Sequence, residues 1–173
     1  MNLKPLLFLL LLPLFALSQN SMQYKGNKTY PATQSWNFIS ENYALTGEVI
    51  TQIAKSETGG VLKIAVSTTN PEYSIRGTVY IYLTDSTIIT CVDKGVFENK
   101  EDRIMSYFVL SNSEMQQLKK VNIQSIRFTI QGKSNSFSSQ VGNFTAYNKK
   151  NFYKTNYGTQ IESFETAKEI KGL

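Results

Sequence analysis

The stretch 107–130, YFVLSNSEMQQLKKVNIQSIRFTI, decides the fold, because local signals in it predict a strand, a short helix and a second strand. Ser111 and Glu114 form the S-x-x-E pattern of a capping box, in which each side chain bonds the other residue's backbone amide. Leu110 and Met115 occupy the two positions of a hydrophobic staple, which fixes how the chain enters the helix. A helix of about two turns is unstable alone, so it must pack on a sheet.

The residues after this helix predict a half-buried strand. Ile126, Phe128 and Ile130 alternate with polar residues, which is the period-2 pattern of a strand with one face in the core. The connection 111–122 is twelve residues long, just enough for a crossover between parallel strands, and it can equally return to another sheet. The pattern therefore predicts the elements and leaves their pairing open.

The first eighteen residues predict a cleaved signal peptide. Lys4 precedes an almost wholly apolar run over 6–17, and Ala16 and Ser18 are small residues where a signal peptidase cleaves, before Gln19. A membrane anchor is the alternative, but a proline interrupts the run, which is shorter than the roughly 20 residues of a spanning helix. We therefore expect export to the periplasm or the cell exterior, with no transmembrane segment after cleavage.

The length of the chain after cleavage indicates a single domain, and its net charge is mildly positive. Removing 18 of the 173 residues leaves 155, enough for one domain that buries roughly 70% of its unfolded surface. The expected organisation is a signal peptide over 1–18, a loosely ordered polar leader over 19–34 and a single β-rich domain over 35–173. Losing Lys4 lowers the net charge from +5 to +4, a scattered excess that concerns solubility before partners.

Two features near the start of the domain predict strands. Trp36 is the lone tryptophan, and its large apolar area favours burial as an anchor of the first strand over a ligand platform. Gly59 and Gly60 separate two β-prone runs, which predicts a hairpin with a turn of more than two residues.

A second hairpin is predicted in GTVYIYLTDSTIITCVD. A two-residue turn at 85–86 pairs Leu83 with Ile88 and Tyr80 with Cys91. One face then carries Val79, Ile81, Leu83, Ile88 and Val92, and the other carries Tyr80, Tyr82, Ile89 and Cys91. A ribbon that is apolar on both faces is usually covered on both, so we expect it in the centre of the sheet.

The stretch 94–103, KGVFENKEDR, predicts a charged, solvated loop. A calcium site is the alternative, but the EF-hand order of acids is absent and Lys100 and Arg103 would neutralise it.

Two further elements are predicted near the C-terminus. The stretch 136–147 predicts a strand. Thr166 and Glu169 predict a second capping box that starts a short C-terminal helix.

A basic and aromatic tail is the predicted partner surface. It comprises Lys149, Lys150, Phe152, Tyr153, Lys154 and Tyr157. Lysines interleaved with rings resemble a surface for single-stranded nucleic acid. No basic footprint across the domain accompanies them, so we expect a protein partner from the envelope or the cell exterior and no nucleic acid.

The chemistry of the sequence argues against catalysis. The chain has no histidine, which removes Ser-His-Asp and Cys-His sites and histidine-ligated metals. Cys91 is the single cysteine, so no internal disulfide or zinc site is possible, and its place in an apolar strand favours a buried small residue over a reactive thiol. No phosphate-loop or nucleophile motif occurs, and we expect no cofactor and no metal.

The sequence predicts a mainly β fold. We expect an antiparallel β-sandwich or partly closed barrel of about eight strands, with one short internal helix and a short C-terminal helix. The expected function is non-catalytic binding, for instance as an accessory protein of the cell envelope. The alternatives are a secreted inhibitor or immunity-type protein, for which GVFENKED is the candidate loop, and a carboxylate-dependent hydrolase, whose paired acids leave no sequence spacing.

Overall fold

A computed structural model describes residues 20–26, 28–40, 47–100, 102–132, 138–150 and 162–173. Within them the chain is mostly β, and its elements in order are β1 (Ser21–Gln23), β2 (Thr29–Pro31), β3 (Trp36–Ile39), β4 (Glu48–Ser56), β5 (Gly59–Ser67), β6 (Ser74–Leu83), β7 (Ile88–Cys91), β8 (Asp93–Lys100), β9 (Arg103–Ser111), α1 (Asn112–Leu118), β10 (Ile123–Gln131), β11 (Gly142–Tyr147) and α2 (Thr166–Lys171).

Nine strands form one antiparallel sheet that is nearly closed into a barrel. Their order is β7-β6-β10-β11-β3-β4-β5-β9-β8. The two end strands, β7 and β8, follow one another in the chain and are separated only by Val92. The first pairs with β6 and the second with β9, so one run of chain joins both ends of the sheet. The predicted fold class is confirmed, with the barrel as the form adopted.

Side chains complete the barrel where β6 faces β8 and β9. The buried Ser106 hydroxyl donates to the Ile75 carbonyl oxygen at 2.8 Å. The Asn99 side-chain amide donates to the carbonyl oxygens of Pro71, at 2.7 Å, and Tyr73, at 2.8 Å. These bonds satisfy backbone groups that a continuous strand ladder would otherwise pair. We call this junction the seam.

The barrel interior is filled by the inward side chains of alternating strand residues. The largest fully buried ones include Trp36, Phe38, Phe108 and Phe128, and Trp36 is 0% exposed. This confirms the prediction that the tryptophan anchors the first strand of the domain. Burial of several large aromatic side chains supplies much of the hydrophobic stabilisation of a domain this size.

The strand, helix and strand of the central stretch are present. Ser111 caps α1, because the Glu114 amide donates to its hydroxyl at 3.3 Å and its own amide donates to the Glu114 carboxylate at 2.6 Å. Leu110, Met115 and Leu118 are buried in the core. Four strands of the sheet separate β9 from β10, so the open question of pairing is resolved: each pairs antiparallel with other neighbours.

The first hairpin, β1 and β2, covers part of the barrel's outer surface. Met22, Tyr24 and Ala32 are buried against the outward residues of β4, β5 and β9, among them Val61 and Tyr107. The expectation for 19–34 was a loosely ordered leader, and the described part of this segment is a paired, packed hairpin. The sequence did not predict this hairpin because each of its strands has only three residues. Such a strand is too short to show the alternation of polar and apolar residues by which strands are recognised.

The hairpin predicted at Gly59 and Gly60 is formed by β4 and β5, but its predicted turn of more than two residues is wrong. Ser56 pairs with Gly59, so the turn has two residues and the glycines begin β5. A Cβ on Gly59 would clash with the Leu110 carbonyl oxygen, and one on Gly60 would clash with the Met115 sulfur. Glycine is required there by the close approach of β9 and α1, which a hairpin pattern does not reveal.

The predicted register of β6 and β7 is wrong by one residue. The turn has three residues, Thr84 to Ser86, and Ser86 has φ 70°, the left-handed position typical of three-residue hairpin loops. Tyr82 therefore pairs with Ile88, and Val79 with Cys91. A slip of one residue moves each side chain to the opposite face.

That slip also corrects the predicted faces and position of the hairpin. Ile88 and Val92 are 52% and 57% exposed, whereas Ile89 and Cys91 are buried. The burial predicted for Cys91 is confirmed. The hairpin lies at one end of the sheet order and not in its centre. Its outward face carries exposed side chains, so the expected cover on both faces is wrong.

The charged loop predicted over 94–103 is mostly strand β8. Its side chains are largely exposed, and a register shift between Asp93 and Phe97 contains Gly95 at φ 70°. Charges and a bulge are typical of a protected edge strand, so the absence of apolar alternation concealed it.

The predicted cap of the C-terminal helix is wrong. The N-cap of α2 is Glu165, whose own side chain makes no capping bond. The Thr166 hydroxyl instead accepts from the Ile123 amide at 2.9 Å, and the Asn122 side-chain oxygen accepts from the Ala167 amide at 2.9 Å. Glu169 accepts from Gln34 at 2.8 Å. Contacts with the start of β10 replace the local cap.

The strand predicted over 136–147 is present as β11, Gly142–Tyr147, which lies within that stretch.

Candidate protein-binding surface

The structure brings together only part of the predicted tail surface. Phe152, Tyr153, Lys154 and Tyr157 lie outside the described residues. Lys149 and Lys150 follow β11 directly. The Lys149 ammonium lies 5.2 Å from the centroid of the Tyr147 ring, and the Lys150 ammonium lies 5.7 Å from that of Phe164. The described end of the tail therefore adjoins the outward face of β11.

The outward face of β7, β6, β10 and β11 carries an exposed aromatic and aliphatic patch. The pairing places Ile88, Tyr82, Ser125 and Tyr147 in one row across the four strands. Thr90, Tyr80, Arg127 and Thr145 form the next row. Tyr80, Ile88 and Tyr147 are 38%, 52% and 39% exposed. We call Tyr80, Tyr82, Ile88 and Tyr147 the outer patch.

Burial within the first row shows how the tyrosines pack. Ser125 faces outward but is only 6% exposed, and its cross-strand neighbours are Tyr82 and Tyr147. The first row therefore places a large ring on each side of a small, buried side chain. Tyrosine combines an apolar ring with a hydroxyl that stays wet, which suits an intermittently covered surface.

The charges on this face are of one sign. Strands β6, β7, β10 and β11 contain two arginines, Arg76 and Arg127, and no aspartate or glutamate. The Arg76 guanidinium lies 3.8 Å from the Asp93 carboxylate and 4.1 Å from the centroid of the Phe97 ring. Arg127 has neither kind of contact with any residue that the structure describes. The face therefore attracts negative groups.

The sequence prediction missed the outer patch for a definable reason. Tyr80 and Tyr82 were placed on a covered face because the hairpin was expected in the centre of the sheet. The signal that could have found the patch is composition: two alternating positions of β6 hold tyrosines, Tyr80 and Tyr82, where a buried face would carry aliphatic residues.

A second exposed feature, which we call the β8 ridge, consists of Phe97 on β8 and the Arg76 side chain of β6 that lies against its ring. Phe97 is 45% exposed. The Asp93 carboxylate fixes the bulge, because it accepts from the Gly95 amide at 2.6 Å and the Gly77 amide at 3.1 Å. Clefts of 380 and 420 Å³ flank the ring, and Phe97 lines both.

Two titratable groups that line the smaller cleft, Glu98 and Tyr107, belong to one set of contacts. The Lys100 ammonium lies 2.9 Å from the Glu98 carboxylate and holds the pKa of Glu98 below its usual value. The Tyr107 hydroxyl lies 3.4 Å from the same carboxylate. Burial, with the charge of Glu98, raises the pKa of Tyr107 to about 12. At neutral pH this group is therefore a neutral phenol beside an ion pair.

The single cysteine, Cys91, is buried in the core. Burial, with the charge of Glu114, raises the pKa of Cys91 to about 12, and a protonated thiol is a poor nucleophile. Among the described residues, no group of three or more His, Cys, Asp or Glu side chains is placed to hold a metal ion.

Within the described ranges, none of the helices has the length and apolar character needed to cross a membrane. The predicted signal peptide, 1–18, lies outside those ranges.

Comparison of the chain with family models, with curated proteins and with solved structures finds no match. The fold and surface themselves define a nearly closed antiparallel barrel with one outer face covered by the β1–β2 hairpin and another on which Tyr80, Ile88 and Tyr147 are exposed.

Proposed function

We propose that this is an exported, non-catalytic binding protein, acting in the periplasm or outside the cell as an accessory component of an envelope assembly. The outer patch is the surface on which it holds a partner protein. The observation that carries this proposal is a contrast between two outer faces. The face of β4, β5 and β9 is covered by the β1–β2 hairpin, whereas the tyrosine-rich face of β6, β7, β10 and β11 is exposed.

The size and composition of the outer patch fit the centre of an interface. Its partly exposed side chains offer on the order of 300 Å² of surface, within the range at which exposed patches on monomers are often functional. Tyrosine and arginine are enriched among residues that dominate binding energy. A stable interface needs roughly 800 Å² on each partner, so the rim, including Thr90, Thr145 and Lys149, has to contribute.

Site-specific photo-cross-linking in the native cells tests this proposal. A photoreactive residue at Thr90, exposed beside Tyr80 at the rim of the outer patch, should yield one defined cross-linked product. The same residue at Gln116, exposed on α1, is the matched control and should yield none. Changing Tyr80, Tyr82 and Tyr147 together to serine should remove the product while the circular dichroism spectrum is retained. A product that survives the triple change would refute the proposal.

The predicted tail surface remains a separate hypothesis for the same function. Changing Phe152, Tyr153 and Tyr157 to serine tests it in the same assay. Loss of the Thr90 product in this variant alone would move the interface from the outer patch to the tail. Loss in both variants would indicate one continuous surface, as expected from the contact of Lys149 with the Tyr147 ring.

Export is tested by the intact mass of the protein purified from its native cells. The apolar run and the small residues before Gln19 predict a chain that begins at or near Gln19. A full-length chain recovered from the membrane would contradict this.

A secreted inhibitor is the second candidate, and the β8 ridge favours it. Phe97 projects from a bulge that Asp93 and Arg76 hold in place, and a rigid aromatic group pays little entropy on entering a partner's pocket. A photoreactive residue at Lys94, exposed on β8, would then yield the product in place of Thr90, and Phe97→Ala would remove it. Under the accessory-protein proposal, Phe97→Ala leaves the Thr90 product unchanged.

A further inference from the structure

The inference made here rests on the proposed function and concerns the chemistry of the partner. Arg127 is exposed and lies within the outer patch. Its direct cross-strand neighbours are Tyr80 on β6 and Thr145 on β11. Tyr82 and Tyr147 lie in the adjacent row, on either side of Ser125. One guanidinium is thus surrounded by three tyrosines on the same face of the sheet.

Of the two arginines of this face, Arg76 has charged and aromatic contacts within the chain and Arg127 has none with the described residues. Arg76 has the Asp93 carboxylate and the Phe97 ring. Arg127 has no ion pair and no ring contact with the described residues, and the four strands around it hold no carboxylate. With no carboxylate on these strands to compete for it, the Arg127 guanidinium keeps its charge available to an incoming anion.

We propose that the outer patch binds an acidic protein surface, and that Arg127 binds a partner carboxylate among Tyr80, Tyr82 and Tyr147. The planar guanidinium presents two parallel N–H groups that match the two oxygens of a carboxylate. The tyrosine hydroxyls donate further hydrogen bonds, and their rings contact aliphatic side chains beside the carboxylate. The partner therefore combines glutamate or aspartate with branched aliphatic residues.

Charge favours this occupant over a second copy of the chain. The same face of a second copy would bring its own Arg127 and Arg76 and no strand carboxylate, and like charges across an interface cost free energy. Nucleic acid fits poorly as well. Binding a phosphate backbone uses many cationic contacts, and this face offers two arginines, one of which is paired with Asp93.

Nuclear magnetic resonance titration of the isotope-labelled, exported chain tests the inference with defined probes. The probe is a short peptide of alternating valine and glutamate, with matched peptides that carry glutamine or lysine in place of glutamate. The glutamate peptide should shift the Arg127 side-chain signal and the amides of Tyr80 and Thr145 in a saturable way. The glutamine peptide should bind about tenfold more weakly, and the lysine peptide should not saturate.

Variants assign the effect to the guanidinium. Arg127→Gln should weaken binding of the glutamate peptide about tenfold and reduce its salt dependence. Lys149→Gln, at the rim, is the matched control and should weaken binding less. Equal binding of the glutamate and lysine peptides would overturn the inference, as would unchanged affinity in Arg127→Gln or shifts confined to residues outside the outer patch.

Two further results would identify another occupant and also overturn the inference. Concentration-dependent shifts at Arg127 without peptide would indicate a second copy. Tighter, saturable binding of an oligothymidylate than of the glutamate peptide would indicate nucleic acid.

The cross-linking assay separates failure of this inference from failure of the proposed function. Arg127→Glu should abolish the product formed at Thr90. If that product persists in Arg127→Glu but is lost when the three tyrosines are changed, the partner is not recognised by its acidity and the proposed function stands. If it persists in both variants, both proposals fail.

Discussion

Cys91 provides a sensitive test of the corrected register of β6 and β7. It pairs with Val79 and is 1% exposed, so its thiol points into the barrel. Burial raises the pKa of Cys91 from 9.0 to about 12, and the charge of Glu114 adds to this rise. Thiol reagents attack the thiolate, so both access and ionisation slow the reaction in the folded protein.

The expected magnitude follows from ionisation. At about pH 8, a thiol with a pKa of 9.0 is roughly one-tenth thiolate, whereas one with a pKa of about 12 is roughly one part in ten thousand. Ionisation alone therefore slows labelling about a thousandfold. Exclusion of the reagent from the core slows it further. The same difference makes the folded state lose stability as the pH rises from about 9 towards 12, because the unfolded thiol ionises first.

The assay compares labelling by an aromatic disulfide reagent in native buffer and in guanidinium chloride. Thr90→Cys in a Cys91→Ala background is the matched control, because Thr90 is exposed on the same strand. It should label at nearly the denatured rate in native buffer. If native Cys91 labels within about tenfold of its denatured rate, the placement is wrong and a redox role for the thiol becomes possible.

Three other perturbations test the fold. Ser111→Ala removes the α1 cap and should cost about 1 kcal/mol in denaturant unfolding, and Leu110→Ala, which empties a fully buried site, should cost about 2 to 5 kcal/mol; equal costs would argue against this difference in burial. Asn148→Ala removes a buried side chain that donates to the Ile123 and Phe164 carbonyl oxygens and accepts from the Phe164 amide, and should cost about 2 to 4 kcal/mol with loss of amide protection in α2. Asn148→Asp turns a buried carboxylate oxygen towards the same two carbonyl oxygens and should cost at least as much; a milder effect of Asp than of Ala would show that these two bonds do not form. The raised pKa of Tyr107 makes the folded state hold a proton that the unfolded chain releases, so stability should fall as the pH rises from about 10 to 12, and Tyr107→Phe should reduce that fall; an unchanged slope would show that this phenol is not shielded.

Local signals predicted the central stretch well, because both of its determinants are short-range. The Ser111 and Glu114 side chains bond amides three residues apart, and Leu110 and Met115 are separated by little more than one helical turn. Such features need no knowledge of the rest of the molecule. Alternation in β10 was equally informative, since its inward residues are apolar and most of its outward residues are polar.

Features that depend on distant segments were not predictable in this way. Thr166 has the right spacing from Glu169 for a capping box, yet its hydroxyl bonds the Ile123 amide, 43 residues away. Ser86 adopts the left-handed conformation of a three-residue turn, and the register of β6 and β7 depends on the one residue that this turn adds to the predicted one, Thr84. That single residue decided whether Ile88 faced the core or solvent, so the sequence prediction missed part of the outer patch along with the register.

The seam explains why the two exposed surfaces lie on the same side of the barrel. A single run of chain has to pair with β6 first and then with β9, and it changes partner at Val92. Next to this change the backbone ladder is interrupted, and the side chains of Asp93, Asn99 and Ser106 make the connections. Both the outer patch and the β8 ridge flank this junction through β6. Because side chains fix the junction before any partner arrives, binding at either surface requires little ordering of the backbone, which favours affinity from a modest contact area.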